Sequence, residues 1–301
     1  MQLGMIGLGR MGANMTQRLV NGGHRVIGFD FRPEARKHVE QFGAESAAAL
    51  DALVARLAPP RALWLMVPSG DATEATVTAL LSLLTAGDTI VDGGNSNYKN
   101  TQLRARRCAD KQLDYVDCGT SGGIWGLAEG YSMMIGGNDA AIERLRPIFE
   151  TLAPAPNRGW GRVGPSGAGH FTKMIHNGIE YGLMQAYAEG FSMMQHKPEF
   201  ALDLHQVAEI WRNGSVVRSW LLDLTANALK SNPDLDGIAP YVADSGEGRW
   251  AVAEAIDLNV PAPTITLALL ARIASRDSDS FAAKMLAAMR HQFGGHDIKK
   301  K

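Results

Sequence analysis

Cysteine is nearly absent from this chain. Cys108 and Cys118 are its only two, too few for a disulfide framework or a cysteine-based metal cluster. Both are expected as free, inert thiols of a reducing compartment, the cytoplasm. An excess of charge is also missing. Thirty Lys and Arg stand against 31 Asp and Glu, a net charge of −1, so no basic field points to nucleic acid. No uninterrupted apolar run approaches the roughly 20 residues of a membrane helix, so no membrane partner is expected. Met1 leads directly into an apolar strand, with no basic and then apolar leader ahead of it. Glycine, in contrast, is plentiful at 33 of 301 residues. It gathers in turns, where a backbone that approaches a ligand needs it.

The first such turn is Gly7-Leu8-Gly9-Arg10-Met11-Gly12. An apolar run at 3–6 precedes it, a helical stretch at 13–20 follows, and 24–30 reads as a second strand ending in Asp30. A lone Gly-x-Gly-x-x-Gly is weak evidence. Between a strand and a helix, with an acid closing the next strand, it is a dinucleotide fingerprint. Gly7 permits the tight turn, Gly9 lets the backbone approach a pyrophosphate, and Gly12 lets the helix pack on the strand. The N–H groups that open the helix face the phosphates. Asp30 accepts hydrogen bonds from the ribose 2′-hydroxyl of NAD and repels the 2′-phosphate of NADP. Arg32 is placed to stack on adenine or meet a phosphate. The reading favours NAD and leaves use of NADP open.

Further helices at 33–42, 47–57, 72–84, 100–111 and 140–151 alternate with strands at 62–67, 88–92, 113–118 and 131–137. This pattern predicts an α/β, Rossmann-like doubly wound domain over residues 1–166. Ligands of such sheets lie beyond the strand C-termini. Val67-Pro68-Ser69 is therefore a cofactor contact. Asn95, in Gly93-Gly94-Asn95-Ser96, is placed to reach both nicotinamide and substrate. Ser121-Gly122-Gly123 either cradles a carboxylate or sugar hydroxyls with backbone N–H groups or is a plain loop.

Strand alternation stops near residue 170. A long helix to about 195 and helices at 202–211, 215–229, 250–258, 264–275 and 278–293 predict an all-α domain over 167–301. The long helix carries Lys173, His176, Asn177, Glu180 and Tyr181, which fall within an arc of about 140°. A lysine and a glutamate so placed can act as base and acid on one substrate; the alternative is a solvated face with an ion pair. Gly178 and Gly182 sit in the same helix, each unfavourable by about 1 kcal/mol relative to alanine, which points to close packing and a polar site. Arg272, on an apolar helix, is either a phosphate partner or a snorkelling side chain. Arg290 and His296 bracket a glycine-capped helix end.

Over most of its length the chain resembles the 6-phosphogluconate dehydrogenases, in their short form of about 300 residues. The resemblance rests on the Gly7–Gly12 turn, Asp92-Gly93-Gly94-Asn95-Ser96, Gly119-Thr120-Ser121-Gly122-Gly123, the block from Lys173 to Tyr181, Gly248-Arg249-Trp250, Arg272 and the tail from Arg290 to His296. It implies metal-free oxidative decarboxylation of 6-phospho-D-gluconate to D-ribulose 5-phosphate and CO2. Lys173 matches the family's general base and Glu180 its general acid. Ser121, Gly122, Gly123, His176, Asn177 and Tyr181 match substrate contacts, and Arg272 a phosphate ligand. Arg290 and His296 match residues inserted into a neighbouring subunit's site, which implies a homo-oligomer, dimer or tetramer. The chain departs from the long forms in three places. Ser245 stands where they carry a phosphate-binding lysine, leaving Arg249 as the basic residue at hand. Glu247 replaces the usual hydroxyl, and Ile124-Trp125 replaces an acidic pair. Two other readings stand beside this one. A dehydrogenase of the 3-hydroxyisobutyrate type shares the glycine turn, the Ser-Gly-Gly and the helix lysine. A non-catalytic dinucleotide-binding sensor is the other, and the intact set of Lys173, Asn177 and Glu180 argues against it.

Overall fold

A computed structural model describes residues 1–300. Two compact units emerge, one of residues 1–176 and one from Asn177 onward. In the first, strands and helices alternate as β1 (Gln2–Ile6), α1 (Arg10–Asn21), β2 (Arg25–Phe29), α2 (Pro33–Glu40), β3 (Glu45–Ala47), α3 (Leu50–Ala55), β4 (Ala62–Leu65) and α4 (Asp71–Leu83). The alternation continues through β5 (Thr89–Asp92), α5 (Tyr98–Ala109), β6 (Asp114–Ser121), α6 (Gly126–Glu129), β7 (Ser132–Gly136), α7 (Asp139–Arg144), α8 (Arg146–Leu152) and β8 (Trp160–Gly164).

The strands form one sheet of order β3-β2-β1-β4-β5-β6-β7-β8. The first six are parallel, the doubly wound order whose direction reverses between β1 and β4. Strands β4 and β5 are buried on both faces, which is why they read as continuous apolar runs. Successive side chains feed opposite layers. Leu3, Met5 and Trp64 enter a core with Phe149, while Ile6, Leu63 and Leu65 enter one with Leu80. Strand β7 is antiparallel to β6, because the connection between them is too short for a helical crossover.

The structure adds two strands that periodicity did not suggest. Residues 45–47 pair with Ile27–Phe29, which takes Ala47 out of the alanine-rich helix expected over 47–57; edge pairing overrides weak helix propensity. The glycine-rich stretch 157–169, which shows no strand alternation, contains β8, paired with β7. The helix expected at 140–151 breaks at Leu145; Pro147, which lacks an N–H, disfavours a helix interior and sits instead in the first turn of α8. Cys108 and Cys118 are buried and free, and burial pushes both thiols up to about 12.

Helix α9 (Ala168–Gln195) runs across the boundary between the units. The second unit adds α10 (Leu204–Arg212), α11 (Trp220–Ser231), α12 (Glu247–Asp257), α13 (Pro263–Ala274) and α14 (Phe281–Gly294). Phe191, Ala208, Leu222 and Ala226 form one of its cores, and Tyr181, Ala268 and Leu269 another. The glycines of α9 serve this packing. A Cβ on Gly178 would meet Ala251 and Ile265 at 3.2–3.3 Å, and one on Gly182 would meet Thr264 at 3.4 Å. Every described residue from Phe281 on is exposed. No helix among the described residues is long and apolar enough to cross a membrane.

Candidate active site

The glycine turn sits at the switch point of the sheet. Gly7 has φ of +91°, and a Cβ there would lie 2.5 Å from the Met66 carbonyl oxygen. A Cβ on Gly12 would lie 1.9 Å from the Gly7 carbonyl oxygen, so only glycine lets α1 start this close to β1. Gly9, the residue before α1, faces open space and offers no side-chain cap. The first N–H groups of α1 therefore stay available to an anion. Beside them is a cleft of about 700 Å³ lined by Gly7, Gly9, Arg10, Met11, Gly12, Asp30, Arg32, Val67, Pro68 and Gly94, with Ala72, Ala75 and Thr76 of α4 among its other walls. These features fit a dinucleotide. Leu8 is buried and contributes its N–H to Asp30 rather than a side chain to the cleft. Ser69 is exposed in the turn after Pro68.

Asp30 accepts from the Leu8 N–H at 2.8 Å, the Arg32 N–H at 2.9 Å and the Arg32 guanidinium at 3.1 Å. Burial pushes its carboxyl up, but the hydrogen bonds from Arg32 and Leu8 outweigh that and hold it below the usual carboxylate range. It is thus an ionised acceptor at neutral pH. Arg36 donates to the Asp30 carbonyl at 2.6 Å, so a second guanidinium stands at this corner.

Lys173 is 7% exposed. A Cβ on Gly119 would lie 2.4 Å from the Lys173 Cβ and 2.8 Å from the Gly169 carbonyl oxygen. Glycine at 119 therefore lets α9 lie directly on β6, next to the Ser121-Gly122-Gly123 turn. Asp117, fully buried in β6, fixes the helix start by accepting from the Gly167 and His170 N–H groups at 2.7 and 2.8 Å. A carboxylate at a helix N-terminus is favourable. Sequence reasoning passed over Asp117; a charge inside the apolar strand Tyr115-Val116-Asp117-Cys118 was the available signal. The Lys173 Nζ lies 3.4 Å from His176 Nδ1. Asn177 is buried and Glu180 half-buried, at i+4 and i+7 from the lysine along α9.

In the helical unit the Arg272 guanidinium lies 3.5 Å from the centre of the Tyr181 ring and donates to the Ala243 carbonyl at 3.1 Å. The Tyr181 hydroxyl accepts from the Ser245 N–H at 3.3 Å, and the Ser245 hydroxyl donates to buried Glu247. Arg249 is engaged in a two-pronged pair with Asp244 at 2.9 and 3.0 Å, and Arg276 meets the same carboxylate at 2.9 Å. Arg249 is thus paired with Asp244. Arg290 and His296 are exposed within their own chain. Among the described residues no group of His, Cys, Asp or Glu is arranged to hold a metal ion.

Comparison with known proteins agrees with this geometry in both halves. The model of the NAD-binding domain of 6-phosphogluconate dehydrogenase matches residues 2–161, and that of the 6-phosphogluconate dehydrogenase C-terminal domain matches 169–300. The NAD(+)-dependent, decarboxylating 6-phosphogluconate dehydrogenase of Haloferax volcanii is 43% identical, over 100% of this chain and 99% of that protein. Other relatives near 34% identity are longer, and the chain spans 61 to 65% of them; their names include both NAD(+)- and NADP(+)-dependent enzymes. The solved 6-phosphogluconate dehydrogenase of Plasmodium falciparum superposes with a TM-score of 0.85 at 28% identity, over all of this chain and 66% of that one. A 3-hydroxyisobutyrate dehydrogenase from Mycobacterium tuberculosis shares the fold, with a TM-score of 0.75 at 22% identity over 92% of this chain and 94% of that one. With both domains matched along nearly the whole sequence and a full-length relative at this identity, the chain belongs to the 6-phosphogluconate dehydrogenase family.

Proposed function

We propose that the protein oxidatively decarboxylates 6-phospho-D-gluconate to D-ribulose 5-phosphate and CO2, with NAD as the favoured acceptor. The observation that carries this reading is the burial of Lys173 against Gly119, beside the Ser121 turn and within reach of His176. A bound nicotinamide dinucleotide supplies the acceptor for the C3 hydride. Lys173, neutral at the start, takes the proton of the C3 hydroxyl. The resulting β-keto acid loses CO2 readily, since its ketone accepts the electrons of the breaking bond. Lys173, now a cation, donates a hydrogen bond to the developing enolate oxygen. Glu180, carrying a proton, delivers it to C1 as the ketose forms. Ser121, Gly122, Gly123, Asn95, His176, Asn177 and Tyr181 orient the sugar acid. Arg272 takes the phosphate, supported by its proximity to Tyr181.

Asp30 supports NAD, because its ionised carboxylate suits a ribose hydroxyl and opposes a phosphate. Arg32 and Arg36 beside it support a residual use of NADP. The protein acts as a cytoplasmic homo-oligomer in which Arg290 and His296 complete a neighbouring subunit's site; the exposed tail helix supports that arrangement.

The test is NADH and NADPH formation with 6-phosphogluconate, followed beside CO2 release. CO2 released in step with NADH, and a preference for NAD that Asp30→Ala relaxes, are expected. Dinucleotide reduction without CO2 would place the chemistry with simple β-hydroxyacid oxidation. An unchanged preference in Asp30→Ala would remove Asp30 as the reader of the ribose.

A further inference from the structure

The turn that carries Asn95 is built on one buried carboxylate. Asp92 closes β5 and is 1% exposed. Its Oδ1 accepts from the Gly94 N–H at 3.2 Å, and its Oδ2 accepts from the Ser96 hydroxyl at 2.8 Å and the Tyr115 hydroxyl at 2.9 Å. The residues on both sides of Asn95 are thus tied to the same group. Asn95 itself is exposed between buried Gly94 and Ser96. Burial, and the charge of Asp92 beside it, push the Tyr115 phenol well above its usual range, so it remains a donor.

A second set of contacts leads outward from Asp92. Arg104 of α5, 3% exposed, places its guanidinium 3.6 Å from the Asp92 carboxylate and 3.4 Å from the Ser96 hydroxyl. Its Nε donates to Glu74 of α4 at 3.0 Å, and Arg107 grips the same glutamate. Helix α4 lines the dinucleotide cleft through Ala72, Ala75 and Thr76, and Gly94 lines it from the side of β5. A chain of charged groups from Asp92 through Arg104 to Glu74 therefore links two walls of that cleft. A buried ion pair of this kind fixes geometry more than it adds stability.

We propose that Asp92 is a positioning residue that acts through the Gly94–Ser96 turn to present Asn95 to the substrate and the dinucleotide, and that Arg104 and Glu74 extend this hold to α4. The inference rests on the substrate and cofactor role given to Asn95 above. The consequence is that loss of the Ser96 or Asp92 contacts lowers turnover only where Asn95 is present to be misplaced.

A double-mutant cycle tests this. Ser96→Ala, which leaves the Arg104–Asp92 contact intact, is expected to lower kcat/KM for 6-phosphogluconate roughly 10-fold, and Ser96→Thr to restore it. Combined with Asn95→Ala, the further loss is expected to shrink to less than about 2-fold. An undiminished loss in the Asn95→Ala background overturns the proposal, as does full turnover in Ser96→Ala. Asp92→Asn should follow Ser96→Ala in sign; because that variant is the more prone to misfold, the serine variants carry the decision. NADH binding, titrated by fluorescence with no sugar acid present, reads the second half. Glu74→Gln is expected to raise Kd roughly 3- to 10-fold, and an unchanged Kd overturns the link to α4. If the unaltered enzyme releases no CO2 from 6-phosphogluconate, the substrate reading fails by itself. A response of NADH binding to Ser96→Ala and Glu74→Gln would then still support the positioning role.

Discussion

Lys173 illustrates what burial does to a single side chain. It is 7% exposed, a rare state for lysine unless a partner or a function holds it there. One of its neighbours is the His176 ring, whose Nδ1 lies 3.4 Å from the Lys173 Nζ; the proposed role requires the amine to accept a proton. Arginine, which keeps its charge at any ordinary pH, is unable to replace it as a base. Lys173→Ala and Lys173→Arg are both expected to lower kcat by about 10²- to 10⁴-fold, with NADH binding retained by fluorescence titration. Near-normal turnover in either variant would end the assignment of Lys173 as base. The glycine turn, the acid of Asp30 and the residue types on α9 were all readable from the chain, because each depends on neighbours within a few positions.

At the scale of elements, the decisive fact is how closely α9 approaches the sheet and the other helices. Two kinds of glycine permit it. At Gly119 a Cβ would meet the Lys173 Cβ at 2.4 Å and the Gly169 backbone at 2.8 Å, and neither can give way unless the helix moves. At Gly178 the neighbours are the Ala251 Cβ at 3.2 Å and two Ile265 methyl groups at 3.3 and 3.4 Å, so an added Cβ needs only a few tenths of an ångström of relief rather than the far larger shift at Gly119. Gly119→Ala is therefore expected to destabilise by about 1–3 kcal/mol in urea unfolding and to reduce kcat. Gly178→Ala is expected to be far milder, since alanine favours the helix by about 1 kcal/mol. Equal effects of the two substitutions would contradict this account. Strands β3 and β8 belong to the same scale. Neither shows in local pattern, because each is extended only through its pairing with a neighbour distant in sequence.

At the scale of the whole molecule, α14 stands out. Phe281, Met285, Met289 and Phe293 recur every fourth residue and are 73, 44, 50 and 94% exposed. An apolar stripe of this length on a helix calls for a partner surface, and the proposed partner is a second copy of the chain. If Arg290 and His296 complete the neighbour's site, an oligomer built from Lys173→Ala and His296→Ala subunits holds some sites with both residues intact. Each variant alone is expected to be nearly inactive, and unfolding and refolding them together to restore activity. Failure of the mixture to exceed its parts, with hybrid oligomers shown by native mass spectrometry, would place His296 within its own subunit's site.

The sequence by itself determined the class of the fold, the glycine turn between β1 and α1 and the polar face of α9, since turn chemistry and helical periodicity are set by contiguous residues. Tertiary structure alone decided which partner holds which charge. Arg249, a candidate phosphate ligand on position alone, is committed to Asp244. Asp117 proves to anchor α9, and Asp92 to underlie Asn95. Such pairings join residues separated by a few to more than fifty positions, and for Asp92 and Asp117 burial makes them obligatory because an unpaired charge in the interior is too unfavourable to persist. Only the folded topology brings those partners together.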